Sequence, residues 1–142
     1  MPERSSTAIW EGDIMGGKGT MTIGSGAWVG PYSFKSRFED GTGTNPEELI
    51  AAAHAGCYSM ALSGALTRNS TPPTKIETKA KVDLIKEEAG FKIAKIHLTT
   101  TASVPGIDAA KFQEIAETAK KNCPVSKVLA AAEISLDAKL VG

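Results

Sequence analysis

The chain has 142 residues, a length that predicts one domain with its own hydrophobic core, or one subunit of a compact oligomer. Hydrophobic residues make up 42% and charged residues 23%, a globular composition that excludes an extensively disordered chain. The 16 basic residues balance the 16 acidic ones, which argues against nucleic-acid and anionic-membrane partners because both favour a basic excess.

The N-terminal residues 1–40 are predicted to form a β-meander. Its three short strands are separated by glycine-rich turns and span residues 9–13, 19–23 and 32–38. Within the third strand, side-chain alternation places the aromatic residues on one face and Arg37 on the other. Taken alone, Arg37 also has a simpler interpretation, as a surface charge whose aliphatic stem packs over Phe38.

The next element is the clearest helix, at residues 45–67. Asn45 is a suitable N-cap, Pro46 suits the first helical position, and Glu48 completes a capping-box pattern. The helix is apolar or small nearly all the way round, which predicts burial on most sides. One chain of this length has little material to wrap such a helix, so we expect a second copy to cover it in a homodimer.

Residues 75–104 are predicted to form a β-hairpin, because apolar and polar side chains alternate along both halves. Residues 108–142 hold a helix capped by Asp108, a short helix that follows Pro124, and a last strand. The order of these elements predicts an α+β fold with antiparallel sheets, in a single domain of residues 1–142, rather than a doubly wound fold.

Two cysteines are the most reactive side chains in the sequence. The N-terminus lacks the apolar segment of a secretory signal, and the apolar stretch around His54 is too weak for a membrane span, so we expect a cytoplasmic protein with reduced thiols. Cys57 and Cys123 are then either inert core residues or redox-active. Cys123 precedes Pro124 at a predicted helix N-terminus, which favours a thiolate. Cys57 lies within a helix and needs a nearby cation if it is reactive.

Other familiar motifs are absent from the sequence. The glycine groups at residues 16–20 and 41–43 lack the spacing of phosphate-binding and dinucleotide-binding loops, so they are interpreted as turns. His54 and Cys57 share one side of the helix as a potential zinc half-site, but zinc sites usually show closer ligand pairs. His54 is therefore interpreted as a buried, hydrogen-bonded residue, and His97 as a strand residue without a catalytic role. The residues alone indicate a soluble domain with two unexplained thiols.

Both cysteines lie in segments that resemble motifs of the osmotically inducible protein C (OsmC) family. These segments are TNPEELIAAAHAGC at residues 44–57 and NCPVS at residues 122–126, and the resemblance extends from about residue 8 to residue 140. The family and the similar organic hydroperoxide resistance (Ohr) proteins are thiol-dependent peroxidases. They form intertwined homodimers, with sheets around a long, central buried helix and two active sites at the subunit interface. The resemblance implies the same fold and assembly here.

The resemblance also implies the roles of four residues. It makes Cys57 the peroxidatic thiol and Cys123 the resolving thiol, with Arg37 stabilising the Cys57 thiolate and Glu47 orienting Arg37. Glu47 is preferred over Glu48 because Glu48 has the capping role. In the Ohr branch the essential arginine lies in the first hairpin, where this chain has Lys18, so Arg37 favours the OsmC branch and Lys18 is an outside candidate only.

The implied reaction needs no bound cofactor and no metal. Cys57 is oxidised by an organic hydroperoxide, or by hydrogen peroxide, to a sulfenic acid. Cys123 then forms a disulfide with it, and an external dithiol such as dihydrolipoamide, free or on a lipoylated protein, reduces that disulfide. Met60, Phe34 and Leu66 are candidates to line an apolar access pocket.

The positions of the polar residues predict a site that is shared between subunits. Glu47 precedes Cys57 by ten residues, which is about 15 Å along a continuous helix. We therefore expect Arg37 and Glu47 to reach Cys57 from the partner chain. Two alternatives remain at this point: a stress-induced ligand-binding dimer with structural thiols, and a redox sensor that forms the same disulfide without significant turnover.

Overall fold

The computed structural model describes residues 2–142 and confirms the α+β class, in two compact units of which the first ends at Leu49 and the second begins at Ile50. The strands are β1 (Ser6–Glu11), β2 (Lys18–Ile23), β3 (Val29–Tyr32), β4 (Lys75–Glu87), β5 (Gly90–Ser103) and β6 (Glu133–Val141). The helices are α1 (Phe34–Phe38), α2 (Pro46–Arg68), α3 (Ala109–Asn122) and α4 (Pro124–Val128).

The first unit contains the expected antiparallel meander, β1-β2-β3, but its third strand is shorter than predicted. The strand ends at Tyr32, and residues 34–38 form the short helix α1. The Ser33 hydroxyl accepts the Ser36 N–H at 3.1 Å, and the Ser36 hydroxyl accepts the Ser33 N–H at 2.8 Å. This reciprocal cap stabilises a helical turn over an extended chain. The predicted strand over residues 32–38 is therefore wrong, and Arg37 lies on a helix.

The start of α2 agrees with the predicted N-cap and differs in one detail. The Asn45 side-chain oxygen accepts the Glu48 N–H at 2.7 Å, which satisfies one of the free donors of the first turn. The Glu48 carboxylate does not complete the predicted capping box. It instead accepts a hydrogen bond from the Thr44 hydroxyl at 2.8 Å, which ties the helix to the preceding loop.

Only one stripe of α2 is buried within a single chain. His54, Tyr58, Leu62 and Leu66 follow one another at four-residue intervals and have no solvent exposure. Met60, on another face, is 78% exposed. By length and composition α2 is able to cross a membrane, a test that the core helix of a soluble protein also passes. The buried apolar residues of α2 belong to the hydrophobic core of the second unit.

The sheet of the second unit has the order β4-β5-β6. Strands β4 and β5 form the expected antiparallel hairpin. Strand β6 runs parallel to β5, so the prediction of exclusively antiparallel sheets is wrong for this pair. The reason is the connection: α3 and α4 lie between β5 and β6 in the chain, and a helical crossover returns the chain in the same direction.

The junction between α3 and α4 positions the second cysteine. The Asp108 carboxylate accepts the Lys111 N–H at 2.8 Å, which confirms the predicted cap at the start of α3. Cys123 ends α3, where its N–H donates to the Ala119 carbonyl at 3.0 Å, and it is also the N-cap residue of α4. Pro124 favours this break because it disfavours helical geometry in the residue before it and suits the first position of the next helix.

Candidate active site

The two cysteines meet although 65 residues separate them in the chain. The Sγ atoms of Cys57 and Cys123 lie 2.9 Å apart, within hydrogen-bond distance, and both thiols are free. A disulfide requires a separation of about 2.0 Å, so only a small shift separates this arrangement from a covalent bond. The pair can therefore change reversibly between two thiols and one disulfide.

The two thiols have different surroundings. Cys57 is half-buried, and burial together with the adjacent Cys123 raises the pKa of its thiol. Cys123 is fully buried, which acts to raise the pKa of its thiol, but the adjacent Cys57 thiol and the polar groups of Ser126 and Val125 outweigh burial and lower this pKa. Within one chain the N-terminus of α4 thus favours negative charge on Cys123.

A buried histidine lies beside this pair. The His54 Nε2 atom is 2.7 Å from the Ser126 hydroxyl, and burial lowers the pKa of the imidazole. This geometry confirms the interpretation of His54 as a buried, hydrogen-bonded residue. Among residues 2–142, no group of three or more histidine, cysteine or acidic side chains is placed to hold a metal ion.

Sequence reasoning missed Ser126. Its signal is the spacing of Cys123-Pro124-Val125-Ser126, in which a serine follows an N-cap residue by three positions and lies in the first turn of the helix. Such a hydroxyl is close to the N-cap side chain, here a thiol. His97, in contrast, lies on β5 as predicted, and its two ring nitrogens contact Ser135 and Asp137 of β6 at 2.6 and 3.1 Å.

The first unit holds a two-pronged ion pair between Arg37 and Glu47. Arg37 donates from Nε to Glu47 Oε1 and from Nη2 to Glu47 Oε2, both at 3.0 Å. Glu47 is only 8% exposed, and the guanidinium also lies 5.2 Å from the centre of the Phe38 ring. Parallel hydrogen bonds of this kind fix the orientation of a guanidinium. Glu47, rather than Glu48, is therefore the partner of Arg37. Lys18 lies on β2, opposite Glu11.

An aromatic cavity of about 220 Å³ adjoins this arginine. Its lining includes Arg37 together with Trp10, Ile14, Tyr32, Phe34 and Phe38. Of the three residues predicted to line an access pocket, Phe34 lines this cavity and Met60 lines a different one, on the surface of α2 and α3. Leu66 is fully buried in the core, so the prediction that it lines a pocket is wrong.

The structure thus brings the predicted site residues together in two pairs. Arg37 and Glu47 form one pair, in the unit that ends at Leu49. Cys57 and Cys123 form the other, in the unit that begins at Ile50, with His54 and Ser126 beside them. The first pair can hold a fixed positive charge beside an apolar cavity, and the second can undergo thiol–disulfide chemistry.

Known proteins resemble this chain in sequence. It is 54% identical to Peroxiredoxin OsmC of Escherichia coli strain K12 over 138 residues, which cover 96% of both chains. It is 36% identical over 91 residues to Organic hydroperoxide resistance protein OhrB of Bacillus subtilis, with 63% of this chain and 64% of that protein covered.

Solved structures share the fold. The OsmC-like protein from Mycoplasma pneumoniae superimposes with a TM-score of 0.78 at 14% identity over 99% of both chains. The Bacillus subtilis OhrB structure gives a TM-score of 0.67 at 26% identity and covers 96% of this chain and 98% of that one. The profile of the OsmC family, described as OsmC-like protein, matches residues 39–139. The chain therefore belongs to the OsmC family.

Proposed function

We propose that this protein is a thiol-dependent peroxidase that reduces organic hydroperoxides. The observation that carries the proposal is the 2.9 Å separation of two free thiols from distant parts of the chain. The relative named Peroxiredoxin OsmC supports a peroxidase, and the relative named Organic hydroperoxide resistance protein OhrB supports organic hydroperoxides as the substrate class.

Cys57 acts first in the proposed cycle, because it is half-buried whereas Cys123 is fully buried, so a peroxide from solvent reaches Cys57. The Cys57 thiolate attacks the terminal peroxide oxygen, the O–O bond breaks, and the alcohol leaves with a proton while the sulfur becomes a sulfenic acid. Cys123 then forms the S–S bond and water leaves. An external dithiol, such as dihydrolipoamide, reduces the disulfide and is itself oxidised, so no bound cofactor takes part.

Arg37 and Glu47 supply the cation that Cys57 needs. Burial and the adjacent Cys123 disfavour the Cys57 thiolate within one chain, whereas a guanidinium is permanently charged and its geometry is fixed by Glu47. In the proposal, the protein is a homodimer in which this ion pair reaches Cys57 of the partner subunit. The exposed Met60 face of α2 supports a second copy, because it leaves apolar surface of the helix uncovered.

The aromatic cavity beside Arg37 defines the proposed substrate preference. Its apolar walls suit the organic group of a hydroperoxide, while the arginine suits the polar peroxide end. Hydrogen peroxide has no apolar group to place there, so it is proposed as the poorer substrate. Recycling by a dithiol needs a reducing compartment, so the proposal places the protein in the cytoplasm.

The proposal is tested by consumption of cumene hydroperoxide by the purified protein with dihydrolipoamide as reductant. We expect turnover in the wild type, no turnover in Cys57→Ser, and consumption of about one equivalent without further cycling in Cys123→Ser. Absence of wild-type turnover with both thiols still titratable would overturn the proposal in favour of a ligand-binding dimer. A disulfide that forms but is not recycled by dithiols would instead indicate a redox sensor.

A further inference from the structure

The helix that carries Arg37 is too short to hold its own position. Helix α1 has five residues, and a helix of this length is unstable in water unless tertiary contacts fix it. The guanidinium also stands at the end of a flexible side chain, so its two hydrogen bonds to Glu47 fix it only relative to that carboxylate. The position of the ion pair as a whole therefore depends on the contacts that tie α1 to the start of α2.

The Ser36 hydroxyl provides the first tie. Its single proton lies within reach of the Thr44 carbonyl at 2.7 Å and of the Ser33 carbonyl at 3.1 Å. The Ser33 carbonyl already accepts the Arg37 N–H, so the shorter contact to Thr44 receives the proton. Ser36 and Thr44 are 6% and 5% exposed, so water does not compete for this bond. The hydroxyl thus joins the residue beside Arg37 to the residue three positions before Glu47.

The Asn45 side chain provides the second tie. Its amide donates to the Ser36 carbonyl at 3.0 Å, while its oxygen accepts the Glu48 N–H at 2.7 Å as the cap of α2. The two ties run in opposite directions, because Ser36 donates to the segment before α2 and that segment donates back to Ser36. Two bonds between the same two segments restrict their relative rotation more than either bond alone.

We propose that Ser36 and Asn45 are positioning residues that determine where the Arg37 guanidinium points. This inference rests on the proposed function, in which the Arg37–Glu47 pair stabilises the thiolate of Cys57 of the partner subunit. Neither positioning side chain bonds to a reacting atom in the proposed cycle. They fix the backbone on both sides of the ion pair, and Glu47 then orients the guanidinium. Loss of one tie leaves the ion pair intact but lets it move away from the thiolate.

Two variants each remove one tie, and a third is their matched control. Ser36→Ala removes the hydroxyl. Asn45→Ser keeps a capping oxygen, but its side chain is too short to reach the Ser36 carbonyl. Thr44→Val removes the neighbouring buried hydroxyl, which donates to Glu48, and keeps the carbonyl that accepts from Ser36. Each variant loses one hydrogen bond, so the three melting temperatures should fall by similar amounts.

The first readout is the rate at which cumene hydroperoxide oxidises Cys57, in a Cys123→Ala background. Ser36→Ala and Asn45→Ser should each lower this rate about tenfold, because a displaced group loses its catalytic effect, whereas Thr44→Val should leave the rate unchanged. The second readout is the rate of Cys57 alkylation against pH, measured without peroxide. Ser36→Ala and Asn45→Ser should shift this profile upward by about half a pH unit, since a displaced cation stabilises the thiolate less. Ser36→Thr keeps the hydroxyl and should return both readouts toward those of the background protein.

Arg37→Ala in the same background separates failure of this inference from failure of the proposed function. If Arg37→Ala slows the oxidation while Ser36→Ala and Asn45→Ser match Thr44→Val in both readouts, the inference is overturned and the two ties are structural only. If Arg37→Ala itself leaves the rate and the pH profile unchanged, the proposed role of the ion pair fails, and the inference fails with it.

Discussion

The Arg37–Glu47 pair places a permanent positive charge in a fixed orientation. The Glu47 side chain is 10% exposed, whereas the Arg37 side chain retains 37% exposure, so the carboxylate is the anchored partner and the guanidinium is the accessible one. Such a pair contributes little to stability when one partner is exposed to solvent. Its value in the proposed reaction is geometric: the two hydrogen bonds determine where the cation points.

Changes to this pair should therefore affect rate more than folding. Arg37→Lys removes the two-pronged geometry and Glu47→Gln removes the anchor charge, and each should lower hydroperoxide turnover about 100-fold with the melting temperature little changed. Glu48→Gln is the matched control, because Glu48 binds the Thr44 hydroxyl and not Arg37. Steady-state assays on the three variants check this expectation. Equal turnover in Glu47→Gln and Glu48→Gln would contradict it.

His54 should make the stability of the fold depend on pH. Burial lowers the pKa of its imidazole below the ordinary 6.5, so below pH 6.5 the unfolded chain binds the proton more readily than the folded chain. The His54 contribution to the free energy of unfolding should be fully present above pH 6.5. It should be lost as the pH drops from 6.5 toward 5, by no more than about 1.4 kcal/mol per pH unit. Urea unfolding at several pH values measures this slope.

The histidine responsible is identified by comparing two variants. His54→Gln should flatten the slope between pH 6.5 and 5, whereas His97→Gln, which alters a half-exposed histidine on the sheet, should retain it. A slope that persists in His54→Gln would assign the dependence to another group.

The Asn45 side chain, at the start of helix α2, has two roles. The Asn45 oxygen caps the helix through the Glu48 N–H, and the Asn45 amide donates to the Ser36 carbonyl of α1 at 3.0 Å. One residue thus fixes the helix start and ties it to the turn that carries Arg37. Capping and attachment can be separated experimentally, because an aspartate retains the acceptor and lacks the amide donor.

Asn45→Ala should lower the free energy of unfolding by about 1 kcal/mol through loss of the cap, and by more if the bond to Ser36 contributes. Asn45→Asp should cost less than Asn45→Ala, since it keeps the capping oxygen. Chemical denaturation of the two variants beside the wild type measures the order. An alanine variant as stable as the wild type would show that the cap contributes nothing here.

The elements that could be predicted from the sequence are those with local signals. Asn45 and Asp108 identify the starts of two helices, and alternation identifies the β4–β5 hairpin. Residues 32–38 have no such unambiguous signal, because Phe34 and Phe38 are spaced equally well for a strand face and for one helical turn, where their rings lie 5.0 Å apart. The parallel pairing of β6 depends on a crossover, which no local pattern encodes.

The site was predictable only in part, because only some of its residues have a local signal in the sequence. Cys123 before Pro124 has a local signal at a helix N-terminus, and the structure places it there. The contacts of Cys57 with Cys123 and of His54 with Ser126 join residues 66 and 72 positions apart, so they depend on tertiary packing. The roles of Arg37, Glu47, Cys57 and Cys123 came from the family resemblance, and they stay predictions until the variants above are measured.

At the level of the whole molecule, the exposed apolar face of α2 favours association with a second copy of the chain. Met60 is 78% exposed, and the adjacent surface cavity is lined by small residues such as Ala61, Gly64 and Ala65, which permit close approach of another helix. An apolar helix in a chain of zero net charge favours association of identical copies. The proposed site needs that partner, because Arg37 and Glu47 are expected to act on the cysteines of the other subunit.

Sedimentation equilibrium should therefore give twice the mass of one chain. Met60→Glu should shift the protein toward monomer and lower peroxidase turnover in proportion, because the shared site is lost. Val128→Glu is the matched control, since Val128 is 79% exposed on α4 and should leave the mass unchanged. A monomeric Met60→Glu protein with full turnover would contradict a site shared between subunits.

A titration of the reduced protein with one equivalent of an organic hydroperoxide, in the absence of any reductant, tests directly whether peroxide joins the two cysteines. We expect that both thiols of each chain disappear, that the chain loses the mass of two hydrogen atoms, and that peptide mapping finds Cys57 joined to Cys123. Dihydrolipoamide should then restore both thiols. Two titratable thiols that persist after the peroxide has been added, in a correctly folded protein, would contradict this expectation.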